Sequence, residues 1–358
     1  MTYFVTGATG FIGSAVVRAL LSRHTRIRAF VRRGSDRSNI EGLPLEIVEG
    51  DLRDPGAVRD AMRGCDAVFH IAADYRHWTR HPEDLLAVNV GGTQAVLDAM
   101  HATGISRLVY TSSVGAMGLA PGGIPAGEDT PAPYDAIIGH YHRSKYLAAQ
   151  CVLRSAGQGL NATIVSPTMP LGPRDIRPTP TGRIIVEAAN GRLPAYVDTG
   201  FNIVHVEDVA QGHLLALDKG ARGANYILGG QDVTLRGLLT MVGDMTGANR
   251  APVRIPLALA YPVAWGGEAL ARITGVPPLA SLDEVRLAAH KMYFSSARAM
   301  RELDYRPRPA REAVRDSIEW FERHGRIVAP RGLSRGVRRG PTRDRSTARP
   351  ASSHLKDL

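Results

Sequence analysis

Cysteine is almost absent: Cys65 and Cys151 are the only two in 358 residues. They stand far apart without a CxxC, which argues against a disulfide framework and a thiolate zinc site and suits a reducing compartment. Lysine is scarce too. Only Lys145, Lys219, Lys291 and Lys356 are lysines among 44 basic residues, so basic surface is written in arginine. No run of ~18 uncharged apolar residues occurs, so no transmembrane helix is expected. No basic stretch precedes Thr2-Tyr3-Phe4-Val5. A secretory signal is therefore not expected, and the expected location is cytoplasmic. Aromatics are few, at 6%, but 44% hydrophobic and 22% charged residues make an ordinary globular balance and exclude a wholly disordered or fibrous chain.

The formal net charge of +10 is unevenly placed, because residues 331–358 hold eight Lys or Arg against two Asp or Glu. The high pI is largely a property of that tail, and no specific nucleic-acid partner is expected. The first third alternates β-rich runs (3–6, 27–31, 45–48, 67–71, 108–111) with helical patterns near 12–23, 55–63, 83–103 and 139–156, and 161–165 reads as a sixth strand. Such alternation predicts an α/β fold, a doubly wound parallel sheet of Rossmann type. After Pro167 the texture changes to Pro and Gly clusters and then to mostly helical patterns. The expected organisation is a dinucleotide-binding domain at 1–170, with 201–220 returning to it. A smaller, mostly helical substrate lobe at 171–325 and a disordered basic tail at 326–358 follow.

Thr6-Gly7-Ala8-Thr9-Gly10-Phe11-Ile12-Gly13 joins the first strand to the first helix. A phosphate needs bare backbone N–H groups at a helix N-terminus, and a Cβ at these turns would block its approach. The second strand ends Val31-Arg32-Arg33, where an NAD site would carry Asp or Glu for the ribose hydroxyls. Arginine forks suit a 2′-phosphate, so NADP is expected rather than NAD. The alternative is a solvated basic loop that Asp36 neutralises. Asp51, in Gly50-Asp51-Leu52, reads either as an acceptor for an adenine amino group or as the cap of the helix at 55. His70-Ile71-Ala72-Ala73 closes the fourth strand with small residues, against which a flat cofactor can lie.

Tyr110-Thr111-Ser112-Ser113 ends the fifth strand, and Tyr141 and Lys145, four apart, share one face of the next long helix. A carbonyl that receives a hydride needs a proton, and a carbinol that loses one must give a proton up. A phenol of ordinary pKa ~10 is a poor base at neutral pH, and a nearby cation lowers that value. Lys145 is the expected cation, and a serine hydroxyl can bond the reacting oxygen. Twelve histidines are scattered without an HExxH, so no metal is expected.

These residues resemble the extended short-chain dehydrogenase/reductase (NAD-dependent epimerase/dehydratase) family over roughly 1–325. The order of the glycine loop, Gly50-Asp51-Leu52, His70 to Ala73, Thr111 to Ser113, Tyr141 with Lys145, and Ser166-Pro167-Thr168 carries the likeness. Val31-Arg32 is similar to dihydroflavonol-reductase-like members. Ala72-Ala73-Asp74-Tyr75-Arg76, Gly172-Pro173-Arg174-Asp175 and Pro194-Ala195-Tyr196-Val197-Asp198-Thr199-Gly200 are similar to bacterial hopanoid-associated sugar epimerases. The resemblance implies Ser113 as the oxyanion-side hydroxyl, with Ser112 as fallback. It implies Tyr141 as general acid/base and Lys145 as its tuner. Gly7, Thr9, Gly10, Phe11, Ile12, Gly13, Arg32, Arg33, Asp51, Leu52, Ala72, Ala73, Asn89, Thr111, Tyr141, Lys145 and Pro167 would then hold the cofactor. Ser166-Pro167-Thr168 stands where many sugar-nucleotide members have Arg-Pro.

The expected activity is NADP-linked hydride transfer at a carbinol or carbonyl carbon of a sugar- or polyol-like substrate, by an epimerase or a reductase, with a hopanoid lipid link. A non-catalytic NADP-binding sensor or scaffold is the alternative. Arg174, Arg177 and Arg183 either bind a phosphate or polyol or solvate a loop. The apolar stretch 255–274, with Trp265, reads as core, as a homodimer face or as a membrane-contacting surface beside the basic tail.

Overall fold

The computed structural model describes residues 1–328 except 77, 249–251, 277 and 279. From 329 onward the expected disordered tail lies outside the described residues.

The first half follows the predicted alternation. In chain order it runs β1 (Thr2–Thr6), α1 (Phe11–Leu21), β2 (Arg26–Val31), β3 (Glu46–Glu49), α2 (Pro55–Met62) and β4 (Ala67–His70). Next come α3 (Pro82–Leu86), α4 (Gly92–Thr103), β5 (Arg107–Thr111), α5 (His140–Gly157) and β6 (Asn161–Pro167). The single helix expected over 83–103 is divided, because a π-helical segment, Ala87–Gly91, separates α3 from α4. β4 is buried along its whole length, which is why it reads as a continuous apolar run rather than an alternating one.

The main sheet has seven strands in the order β10 (Asn225–Leu228)-β6-β5-β4-β1-β2-β3, all parallel. Its seventh strand is β10, paired with β6. Strand order reverses between β1 and β4, and open α/β sheets bind ligands outside the strand carboxyl ends at such a switch point. One apolar core lies on each face. Val16, Val17 and Leu20 of α1 fill the first, and Val96, Met100 and Val152 from the helices of the other face fill the second.

The remaining elements are β7 (Met169–Leu171), α6 (Pro180–Ala189), β8 (Ala195–Val197), β9 (Gly200–His205), α7 (Val206–Lys219), β11 (Gln231–Thr234), α8 (Leu235–Thr246) and β12 (Val253–Ile255). They are followed by α9 (Ala260–Thr274), α10 (Leu282–Ala288), β13 (Lys291–Met292), α11 (Ala297–Leu303) and α12 (Ala310–Arg323). The expectation that 201–220 returns to the main sheet needs correction. Helix α7 does return, with Val209, Ala210 and Leu214 in the core beside α1. Strand β9 does not: it lies in a second sheet with β11, β13 and β7. β9 faces α6, α8 and α12 through Ile203, which packs with Ile185, Leu238 and Phe321. This lobe also holds a two-stranded sheet, β12 with β8.

Candidate active site

The glycine loop closes on itself and on the end of β4. Gly7 has φ +74°, and a Cβ there would stand 2.6 Å from the Ala72 backbone nitrogen. A Cβ on Gly13 would fall 1.9 Å from the Gly7 carbonyl oxygen, which fixes how closely α1 approaches the loop. Gly10 caps α1 with no side-chain hydrogen bond, and the first turn carries no acidic residue. The positive end of the helix dipole is thus left to the backbone amides around Phe11, Ile12 and Gly13. An uncapped helix start behind a bare glycine turn fits a dinucleotide diphosphate. Thr9 reaches the neighbouring loop through its carbonyl, which accepts from Asn39 Nδ2 at 3.2 Å.

Beyond β2, Arg32 and Arg33 are exposed. Asp36 accepts from the backbone and hydroxyl of Ser38 and lies 4.0 Å from Arg177. Asp51 is gripped by Arg53 through Nε at 3.0 Å and Nη2 at 2.7 Å, and this pairing holds its carboxyl down to about 2. The cap of the helix at 55 is Asp54, which accepts from the Ala57 N–H at 3.1 Å, so the capping reading of Asp51 falls away. Leu52 is buried in the core under α4, against Gly92. Ala72 donates its N–H to Thr6 Oγ1 at 3.2 Å, and both Ala72 and Ala73 stay half-buried at the end of β4. Pro167 ends β6, buried and in register with Leu228.

Tyr141 and Lys145 lie one turn apart on α5, over the end of β5. Ser113, just past β5, accepts from the Gly115 N–H at 3.2 Å and is hydrogen-bonded to the Tyr141 phenol. Ser112 is buried and donates its N–H to the Val165 carbonyl at 2.7 Å, which leaves Ser113 as the hydroxyl beside the phenol. Burial pushes the phenol up to about 12, against a lowering from Ser113. Lys145 donates from Nζ to the Thr111 carbonyl at 2.6 Å and lies 4.6 Å from the centre of the Tyr110 ring. Burial draws its ammonium down to about 7. In this arrangement the neighbour that eases ionisation of the phenol is the serine hydroxyl, while the lysine is bound to the strand end.

Behind these groups runs a buried hydrogen-bond line whose connection was not foreseen. Thr93 donates to the Asn89 carbonyl at 2.6 Å, so its oxygen receives the Nε2 proton of His70 at 3.0 Å. The Nδ1 of His70 then accepts from Thr6 at 2.8 Å. Burial lowers the His70 pKa to about 3, in keeping with a neutral ring. Asn89, inside the π-helical segment, accepts from the Asp74 N–H at 2.7 Å and donates to the Asp74 carbonyl at 2.9 Å and the Ser144 hydroxyl at 2.8 Å. Ser144 in turn donates to the Tyr141 carbonyl at 2.6 Å. The only sequence signal for this line is polar residues inside otherwise apolar runs: Thr6, His70, Asn89 and Thr93. A second unforeseen feature is Asp175, buried and bonded to the Thr179 amide and hydroxyl, with burial raising its carboxyl to about 6. Arg174 beside it has φ +75°.

The family model for the NAD dependent epimerase/dehydratase family matches residues 3–229. The chain belongs to that family. Its members include relatives aligned over nearly the whole chain. A Synechocystis sp. protein whose name refers to dihydroflavonol 4-reductase is 41% identical over 329 residues, 91% of this chain and 96% of the relative. Sterol demethylase protein B of Methylococcus capsulatus is 37% identical over 329 residues, 91% of this chain and all of the relative. The crystal structure of gox2253 superposes with a TM-score of 0.82 at 48% identity, covering 91% of this chain and 99% of the other. This epimerase/dehydratase-family chain is therefore an NAD(P)-dependent oxidoreductase of the extended short-chain type. Among the described residues no group of three or more His, Cys, Asp or Glu is placed to hold a metal ion.

Proposed function

We propose that the protein moves a hydride, with NADP as partner, to or from a carbonyl or carbinol carbon of a sugar- or polyol-like small molecule. The observation that carries this reading is the Ser113–Tyr141 hydrogen bond, with the phenol raised to about 12. A phenol that stays protonated at neutral pH is a proton donor, the role that a carbonyl reduction asks of it. Tyr141 Oη gives its proton to the carbonyl oxygen, and the Ser113 hydroxyl holds that oxygen in line. Lys145, kept by the Thr111 carbonyl at the strand end, supplies the cation of the pocket. The nicotinamide supplies or takes up the hydride when bound. An epimerase runs the same step in the oxidative direction first and then returns the hydride to the other face.

Arg32 and Arg33, exposed where β2 ends without a carboxylate, support the 2′-phosphate form of the cofactor. A second substrate class is favoured by the full-length likeness to a protein named for sterol demethylation: an apolar ketone or carbinol on a sterol-like frame. The Ser166-Pro167-Thr168 sequence, in place of Arg-Pro, fits that class as well.

The test is to titrate the enzyme with sugar, polyol, sterol-like and alkyl ketones while following nicotinamide absorbance. Net NADPH consumption is expected for a reductase, and product formation without net consumption for an epimerase. Silence across the panel by both readouts removes the reading. In the same assay Arg32→Ala with Arg33→Ala is expected to weaken NADP by about tenfold or more while NAD binding holds. Equal loss for both cofactors removes the phosphate assignment.

A further inference from the structure

Helix α9 buries only Ala264 and Ala271. At 100° per residue these two fall on one line, and the outward side of the helix carries Val263, Trp265, Ala269, Leu270 and Ile273, with the exposed Arg272 at its edge beside Trp265. These side chains are open to solvent: Val263 is 65% exposed, Trp265 68%, Leu270 60% and Ile273 82%. Leu259 and Val276 extend the patch at the two ends of the helix. A helix lying on a globular protein in water ordinarily places its charges on that outward half. Here Glu268 sits toward the inner side, where it accepts from the Leu282 N–H at 2.7 Å, and Arg272 alone borders the outward one.

Three occupants compete for this face, and charge separates them. The chain's own segment 331–358 has four large apolar residues, Leu333, Val337, Leu355 and Leu358, scattered among eight basic ones, so it cannot cover a continuous apolar surface. A second copy would bring together two chains that each carry a formal charge of +10. An anionic bilayer matches both features, because apolar side chains enter the interface while arginines meet the headgroups. The last described residue is tied to the turn after α6. The Val328 N–H donates to Asn190 at 2.9 Å, and a few residues on the Pro194 carbonyl accepts from Val253, on the strand that leads into α9. Val328 is thus bonded four residues before the Pro194 carbonyl that receives the strand leading into α9.

We propose that α9 docks in the interfacial layer of an anionic membrane, lying in its plane. No described helix is long and apolar enough to cross a bilayer. The docking also orients the site. Arg80 donates to the carbonyls of Ala271 and Arg272 at 3.1 and 2.6 Å, tying the end of α9 to the loop that carries Tyr75 and Asp74 toward Tyr141. Asp283, at the start of α10, packs against Gly139 at the start of α5. The membrane face and the site thus share two connections. This proposal is independent of the substrate class suggested above.

The full chain is to be mixed with phosphatidylcholine vesicles with and without phosphatidylglycerol, and binding read by flotation. Partition onto the anionic vesicles, weakened by raised salt, is expected. Trp265→Ser with Ile273→Ser, checked for an unchanged thermal midpoint, is expected to weaken it about tenfold or more. In the unmodified protein, lipids brominated near the headgroup are expected to quench tryptophan emission, since Trp265 is exposed whereas Trp78 is half-buried and Trp320 buried. No partition of the unmodified chain onto anionic vesicles overturns the proposal, as does undiminished partition of the folded double variant. A dimer seen by sedimentation that the double variant dissolves, with no vesicle binding, also overturns it and assigns the face to a second copy.

Discussion

Tyr141 is positioned from two directions: its backbone carbonyl by Ser144 and its hydroxyl by Ser113. Removing the hydroxyl leaves the ring and the helix in place. Tyr141→Phe is therefore expected to lower turnover by about 10²–10⁴ while cofactor binding stays nearly intact, as single-turnover rates and a cofactor titration would show. Turnover equal to that of the unmodified enzyme would exclude the proton-donor role. At this scale the sequence was informative about residue types. A Tyr and a Lys on one helical face after a Thr-Ser-Ser strand end suffice to nominate the pair. They do not say which neighbour the lysine chooses. The contact with the Thr111 carbonyl depends on how far α5 stands from β5, a distance fixed by the side chains packed between them.

Among the elements, the π-helical segment Ala87–Gly91 shows most clearly what packing adds. A widened turn in the middle of a helix is rare and often marks a functional position. Here it carries Asn89, whose amide clamps the Asp74 backbone on one side and Ser144 of α5 on the other. Asn89→Ala leaves the half-buried Asp74 N–H and carbonyl, and the buried Ser144 hydroxyl, without this partner. It is expected to cost about 2–4 kcal/mol, measured as a fall in the denaturant midpoint at constant m-value. A cost below about 0.5 kcal/mol would mean that water replaces the clamp. Long elements were legible because apolar periodicity accumulates over several turns, as in α5 and α7. The strands β7, β8, β12 and β13 have two or three residues each, too few for any alternation to register. Their pairing comes from the surfaces that β9 and the helices offer them.

At the scale of the whole molecule, burial of titratable groups couples folding to pH. His70 and His213 are both buried, with pKa values lowered to about 3 and about 4. Below the ordinary histidine value the unfolded chain takes up protons that the folded chain refuses. Their contribution is therefore complete above about pH 6.5 and is lost on acidification, by about 2 kcal/mol each at pH 5. Asp175 acts in the opposite sense. Its carboxyl, raised to about 6, takes up a proton first in the folded state and offsets about 1 kcal/mol of that loss at pH 5. The net expectation is a fall of about 2–3 kcal/mol between pH 7 and pH 5, read from denaturant midpoints. A stability that stayed level or rose over this interval would show that the two histidines are charged in the folded protein.

The sequence by itself determined the parallel sheet, the glycine turn and the candidate serine, tyrosine and lysine, because each is a local pattern: a strand followed by a helix, a missing Cβ, a spacing of one helical turn. Tertiary structure alone decided that β9 leaves the main sheet while α7 stays against it, and that His70, Thr93, Asn89 and Ser144 form one line behind Tyr141. It also decided that the apolar half of α9 faces outward. These outcomes turn on which surfaces meet across distant parts of the chain. Periodicity shows that a helix has an apolar side, and only the packing of its neighbours shows whether that side is covered.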